Sequence, residues 1–246
     1  SGNTIFDYSI VIPLAILVIV GLYDDIYSVD FKLKFLFQII AAKIIIDNGL
    51  IIDNIHGVIG IYELNRIVAQ LLTIFIIVAI INAINFIDGV DGLAISIVAT
   101  FIILFEFFAL KPSPFFNLSV IIVSALLPLY YFNFRKSKKV FLGDAGSLFL
   151  GGIVSIYVVY ILNNEYLIKP TYDIHKILFV LSILIYPIID IVRIFCVRIY
   201  NKKSPFIPDK NHIHHIILDK VKNHITTVLI LVIMSLGVTI LLQWVF

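Results

Sequence analysis

The residues with most chemical content lie in Asn82-Ala83-Ile84-Asn85-Phe86-Ile87-Asp88-Gly89-Val90-Asp91-Gly92-Leu93, where a long apolar run ends in amides, carboxylates and glycines. Asn85 with Asp88, and Asp88 with Asp91, are spaced so that each pair shares a face if the helix persists. Gly89 and Gly92 predict a break that lets backbone approach a ligand. An ionisable group at the edge of hydrocarbon is costly and is kept mainly for a task. The plain alternative is a glycine turn with solvated aspartates.

Three further polar stretches join it. Asp24-Asp25 closes an apolar run, where carboxylates oppose the helix dipole; they are boundary residues or they face a cation. Gly143-Asp144-Ala145-Gly146-Ser147 combines glycines that permit positive φ with a serine able to cap a helix, so its N–H groups can point at an anion while Asp144 holds a cation. Read alone, it is equally a simple capping turn. In Pro205-Phe206-Ile207-Pro208-Asp209-Lys210-Asn211-His212-Ile213-His214-His215, three imidazoles suggest zinc, but no cysteine is near and His212 and His214 lack i, i+4 ligand spacing. Contact with a phosphate or sugar is the better expectation. Asp190 and Arg193, one turn apart, read as readily as a mutually neutralising pair.

Aspartates without cysteine suit a hard cation bound through oxygen, and magnesium takes one or two carboxylates plus substrate phosphates. The substrate implied is a diphosphate. Basic loops alongside then point to phosphoryl transfer, in which cations neutralise equatorial oxygens and a carboxylate prepares the attacking oxygen. An acceptor embedded in the membrane would be a lipid.

The elements that must position these groups are apolar helices. Of 246 residues, 61% are hydrophobic and 14% charged, against about 25% charged in soluble domains. The expectation is an all-α polytopic membrane protein, residues 1–246 forming a single integral-membrane domain with about eight transmembrane helices. Their expected extents are Ser9 to Tyr23, Phe31 to Ile46, Arg66 to Ile87, Leu93 to Leu110, Phe115 to Phe134, a sixth span entered through Gly143 to Ser147 and ending near Asn163, Ile174 to Tyr200 and Ile225 to Phe246. Between the second and third spans, in Asp47 to Asn65, the stretch Ile51 to Tyr62 is β-branched and too short to cross, which predicts a small β-hairpin on the outer face. Ser28 or Asp30 is placed to cap the second helix. Lys32, Lys34, Arg135, Lys136, Lys138, Lys139, Arg198, Lys202, Lys203, Lys210, Lys220 and Lys222 fall on the side of Asp24 and Asp88, and Lys43, Arg66, Lys111, Lys169 and Lys176 opposite, so the former side is expected to be cytoplasmic, with both termini outside. Ser1 to Tyr8 carries no positive region of the kind that opens a signal peptide, and the single cysteine, Cys196, allows no internal disulfide. The net charge of +2 says little about partners, and no nucleic acid is expected.

Asp24-Asp25, Asn82 to Leu93, Val140 to Ser147 and Pro208 to His215 occur in the order found in the polyprenyl-phosphate N-acetylhexosamine-1-phosphate transferases, which the chain resembles over essentially its whole length. The Pro-Asp-x-x-His-Ile-His-His form resembles the undecaprenyl-phosphate GlcNAc-1-phosphate transferase branch more than the phospho-MurNAc-pentapeptide translocases. The resemblance implies transfer of a sugar 1-phosphate, GlcNAc-1-phosphate or a related N-acetylhexosamine, from a UDP-sugar to undecaprenyl phosphate. UMP is released and a cell-surface glycan begins at the cytoplasmic face of a bacterial inner membrane. It implies Asp144 as the magnesium ligand, with manganese as the alternative ion, Asp24 as the carboxylate that deprotonates or orients the lipid phosphate, and Asp25 as its partner in diphosphate and metal binding. Asn85, Asp88 and Asp91 fall in the nucleotide and diphosphate region, His212, His214 and His215 in the sugar-phosphate loop. A homodimer is left open. The family carries about two further helices and a glycine-rich basic loop ahead of the segment matching Ser9, so the chain is expected to be N-terminally short.

The competing classes are an ion-coupled carrier, which also uses intramembrane carboxylates and broken helices, and a scaffold. A carrier needs its polar groups near the midplane, whereas here they gather at span ends on one side. A scaffold leaves four converging motifs without a use.

Overall fold

The computed structural model describes residues 10–163, 174–202 and 211–245. Ser1 to Ser9 and Pro205 to Lys210, on which some expectations above rest, lie outside the described residues. Among these, the chain is helical: α1 (Val11–Tyr27), α2 (Phe31–Asp47), α3 (Arg66–Ile87), α4 (Leu93–Phe108), α5 (Phe116–Asn133), α6 (Gly143–Leu162), α7 (Ile174–Ile183), α8 (Ile185–Tyr200), α9 (Ile213–Val221) and α10 (His224–Val245).

Helix α6 is the axis of the bundle, with nearly every residue from Ser147 to Leu162 buried. It packs against α1 on one side and α3 on the other. Lipid tails are as apolar as leucine, so helices in a bilayer associate through close packing, which small residues permit. A Cβ on Gly21 of α1 would lie 2.5 Å from the backbone of Asp144 and Ala145, and one on Gly151 would lie 2.8 Å from Ile81 Cα. The three backbones touch where those glycines stand. Large apolar side chains such as Ile19, Phe107, Leu127 and Trp244 form the exposed outer surface, as a lipid-facing surface requires.

Helices α3, α5, α6 and α10 are long and apolar enough to cross a membrane, and α7 with α8, bent by 72°, makes a fifth candidate. Among the described residues, the expected count of eight is therefore not reached on length. Helices α1, α2 and α4 have 17, 17 and 16 residues, and 17 residues rise only about 25 Å, short of roughly 30 Å of hydrocarbon. The expected seventh span breaks at Leu184, and the histidine loop ends in a short helix, α9.

The expected β-hairpin is reduced to a folded-back loop. One antiparallel bridge pairs Asn54 with Glu63, Ile55 N–H and Gly57 N–H donate to Tyr62 and Ile61 carbonyls, and a 3-10 turn at Val58–Gly60 forms the tip. Gly57 and Gly60, both at positive φ, turn the chain before strands can propagate. At the far end of the bundle from the aspartates, Glu106 accepts from Ser113 Oγ at 2.8 Å and Ser119 Oγ at 2.5 Å, beneath Phe105, Phe115 and Tyr157. The α1–α2 connection is capped by Asp30, whose carboxylate accepts from Lys32 N–H at 3.0 Å.

Candidate active site

The ends of α1 and α3 and the start of α6 meet on one side. Asp25 Oδ1 accepts from Asp144 N–H at 2.8 Å and Oδ2 from Ala145 N–H at 3.1 Å. The anion at the α6 N-terminus is thus a carboxylate of the protein, which satisfies two of the donors every helix start leaves open. Ser147 is not the cap; its Oγ accepts from Asn85 Nδ2 at 2.8 Å. Asp24 accepts from Val29 N–H at 2.6 Å and from Lys34 Nζ at 2.5 Å. The same ammonium reaches Asp144 Oδ2 at 2.8 Å, while Asn85 Nδ2 donates to Asp144 Oδ1 at 2.5 Å. Both oxygens of Asp144 are held.

Asp88 terminates α3 as its C-cap. Burial, then the carboxylates of Asp144, Asp25 and Asp91, push it up to about 8, so at neutral pH it retains its proton. Negative charge here exceeds what Lys34 neutralises. Oxygen donors in excess, with no thiolate among them, fit a hard dication such as magnesium.

These groups line a cavity of about 1180 Å³ that also takes in Asn82, Gly89, His212 and His215. Along α3 its wall runs through Leu71, Phe75, Val78, Asn82 and Asn85, a spacing of three and four residues that keeps them on one helical face. That stripe rises about 21 Å from apolar to polar. Phe31, Phe35 and Phe195 continue the apolar wall on α2 and α8.

The histidines arrive from α9 and the residues before it. His212 Nδ1 lies 2.6 Å from Asp190 Oδ2. His214 is fully buried, its Nδ1 2.8 Å from Tyr186 OH, and burial, followed by the neighbouring His215, pushes it down to about 3, so its ring is neutral. A Cβ on Gly89 would meet Nε2 of both His214 and His215 at 3.1 Å. That glycine makes room for imidazoles beside Asp88.

Residues 8–162 match glycosyl transferase family 4. The chain belongs to glycosyl transferase family 4. It is 34% identical over 227 residues to the probable undecaprenyl-phosphate N-acetylglucosaminyl 1-phosphate transferase of Bacillus subtilis (strain 168), covering 91% of this chain and 61% of that protein. With the decaprenyl-phosphate N-acetylglucosaminephosphotransferase of Mycolicibacterium smegmatis it shares 30% over 241 residues, 91% of this chain and 59% of the other. The undecaprenyl-phosphate alpha-N-acetylglucosaminyl 1-phosphate transferase of Haemophilus influenzae is 30% identical over 222 residues, 86% and 60% of the respective lengths. The chain spans about three fifths of the length of these relatives.

Within this family 4 chain, Asp24, Asp25, Asn85, Asp88, Asp144, His212 and His215 all line the one cavity. Asp91 and His214 do not. Asp91 Oδ2 lies 2.6 Å from Lys139 Nζ and 3.0 Å from His224 Nδ1, tying the central turn to the basic loop and α10. Gly92, at φ +72°, donates to Asn133 Oδ1 at 2.6 Å, and a Cβ there would lie 2.3 Å from the Phe134 ring. Asp190 with Arg193 does not form the self-contained pair the sequence suggests: they stand 3.7 Å apart, and the carboxylate's hydrogen bonds go to the histidine segment. Sequence reasoning missed Lys34 as a member of the carboxylate cluster. Its signal was available, since Lys34 and Gln38 are four apart on α2 and so share a face, and both line the cavity.

Proposed function

We propose that the protein transfers a sugar 1-phosphate, GlcNAc-1-phosphate or a related N-acetylhexosamine, from a UDP-sugar to undecaprenyl phosphate at the cytoplasmic face of the bacterial inner membrane. The observation that carries this reading is a cavity with carboxylates and imidazoles at one end and an apolar wall at the other. Such a site suits a reaction between a water-soluble diphosphate and a lipid. A carrier's polar site would lie near the midplane, whereas these groups sit at helix ends. The names of the three relatives point to the same chemistry, and the lysine and arginine distribution supports the cytoplasmic face.

In this reaction an oxygen of the lipid phosphate attacks the phosphorus that bears the sugar. The bond to the UMP oxygen breaks, UMP leaves with those electrons, and a new P–O–P linkage joins sugar phosphate to lipid. Asp24, already held by Val29 N–H and Lys34, orients the incoming phosphate. Lys34 offsets charge between Asp24 and Asp144. Asn85 fixes the Asp144 carboxylate, and His212 and His215 border the space left for sugar and phosphate. Asp144 and Asp88 would hold magnesium, or manganese, which when bound neutralises diphosphate charge. The apolar residues of α2, α3 and α8 accept the polyprenyl tail.

The test is UMP release from membranes supplied with magnesium, undecaprenyl phosphate and a panel of UDP-sugars. One sugar should support turnover, and Asp144→Asn should abolish it while leaving the amount of folded protein unchanged. An active Asp144→Asn enzyme, or no turnover with any UDP-sugar, would overturn the reading.

A further inference from the structure

Helix α8 grips the residues that lead into α9. Asp190 is fully buried, and both its oxygens are used: Oδ2 lies 2.6 Å from His212 Nδ1 and Oδ1 accepts from Ile213 N–H at 2.7 Å. One turn on, Arg193 donates to the Asn211 carbonyl. Three consecutive residues, 211–213, are therefore fastened to one helix. A buried carboxylate is tolerated where its acceptor capacity is met, and here the histidine segment meets it.

The consequence falls on His212. Its ring lines the cavity with Asp24, Asp88 and Asp144, and because Nδ1 is spent on Asp190, the nitrogen left for the cavity is Nε2. Resting on the transfer reaction above, we propose that Asp190 is a positioning residue that keeps the ring proton of His212 on Nδ1 and delivers Nε2 to the sugar-phosphate end of the donor. The carboxylate accepts only, so whichever oxygen faces the ring, Nδ1 must donate.

Asp190, His212 and His214 also offer ligand atoms within 4.8 Å of one another, the grouping a metal would use. The hydrogen bonds argue for the dyad. A shared ion would have to displace His212 from Asp190; His214 would offer it the buried Nε2, its Nδ1 facing Tyr186 OH.

Asp190→Asn tests the dyad sharply. The Ile213 N–H obliges the amide oxygen to stay on its side, so the amide NH2 faces His212 Nδ1. That nitrogen must then accept, and the ring proton moves to Nε2, the reverse of the wild-type arrangement. With wild-type turnover established, Asp190→Asn should lower kcat by about 10- to 100-fold with melting temperature unchanged, and His212→Ala should lose at least as much. The double variant should be no worse than His212→Ala alone, because the two residues act as one unit. Independent, multiplying losses would overturn the inference, as would Asp190→Asn turnover within about twofold of wild type. Misfolded Asp190→Asn protein would assign Asp190 to structure instead, and zinc at one equivalent in the purified wild type would make the cluster a metal site. Absence of wild-type turnover with every UDP-sugar would remove the transfer reaction itself, an outcome distinct from all of these.

Discussion

Asp25, at the end of α1, caps a helix to which it does not belong: its oxygens accept from the N–H groups of Asp144 and Ala145 at 2.8 and 3.1 Å. The first turn of α6 and the last turn of α1 are therefore one structural unit. Asp25→Ala leaves two helix-start donors without their acceptor, a loss worth about 1 kcal/mol. A lowered melting temperature in detergent, with reduced turnover as Asp144 loses its anchorage, is the expected result. An unchanged melting temperature would show that water replaces the carboxylate without cost.

Lys34 stands between Asp24 and Asp144 at 2.5 and 2.8 Å. Lys34→Met removes its ammonium and leaves two carboxylates facing each other. Turnover should fall about 100-fold, the scale on which a charge-stabilising donor contributes, while the magnesium concentration for half-maximal activity decreases because a competing cation is gone. An unchanged magnesium requirement would separate Lys34 from the cation site.

Asp88 sets a pH dependence. Its folded-state value of about 8 exceeds the ordinary 3.8, so between these values the native protein holds a proton that the unfolded chain releases. Stability in the absence of metal therefore falls as pH rises through that window. A dication that displaces this proton should bind about tenfold more tightly per pH unit up to 8 and level off above it. Magnesium titrations from pH 6 to 9 should show this slope in the wild type and its loss in Asp88→Asn; equal slopes would mean the proton lies elsewhere.

Orientation is open to labelling. Ser137, in the basic loop, and Lys111, between α4 and α5, are both exposed. In a Cys196→Ser background, Ser137→Cys should react with an impermeant thiol reagent only after the membrane is opened, and Lys111→Cys in intact cells. Reversed labelling would place the cavity outside. Ser113 is unsuitable for this purpose, because it is buried and bonded to Glu106.

Much of this was legible in the chain. The apolar runs delimit α3 and the end of α6 closely, because a helix in hydrocarbon must satisfy its own backbone and its ends fall where polarity returns, whereas α6 starts four residues before the serine expected to cap it. The site residues of α1, α3 and α6 were legible for the same reason. Lys34 was harder to see because a lysine near a helix start reads as topology. Asp190 was hidden because its partners lie 22 and 23 residues away, a separation that no helical period registers. The break at Leu184 has its signal in Pro187, which supplies no N–H for the Ile183 carbonyl one turn back, and the Asn54–Glu63 loop had strand composition but glycines that forbade strands.

The glycine crossings at Gly21 and Gly151 have a consequence for selectivity. Backbone contact fixes how far α1 and α3 stand from α6, and with it the separation of Asp24, Asn85 and Asp144. Magnesium demands ligands in nearly ideal octahedral positions, while calcium accepts irregular ones. If the site holds magnesium as proposed, a cradle whose width is set by touching main chains has no compliance to offer the larger ion, and discrimination between cations would be a mechanical tolerance of the bundle and not a property of any one carboxylate.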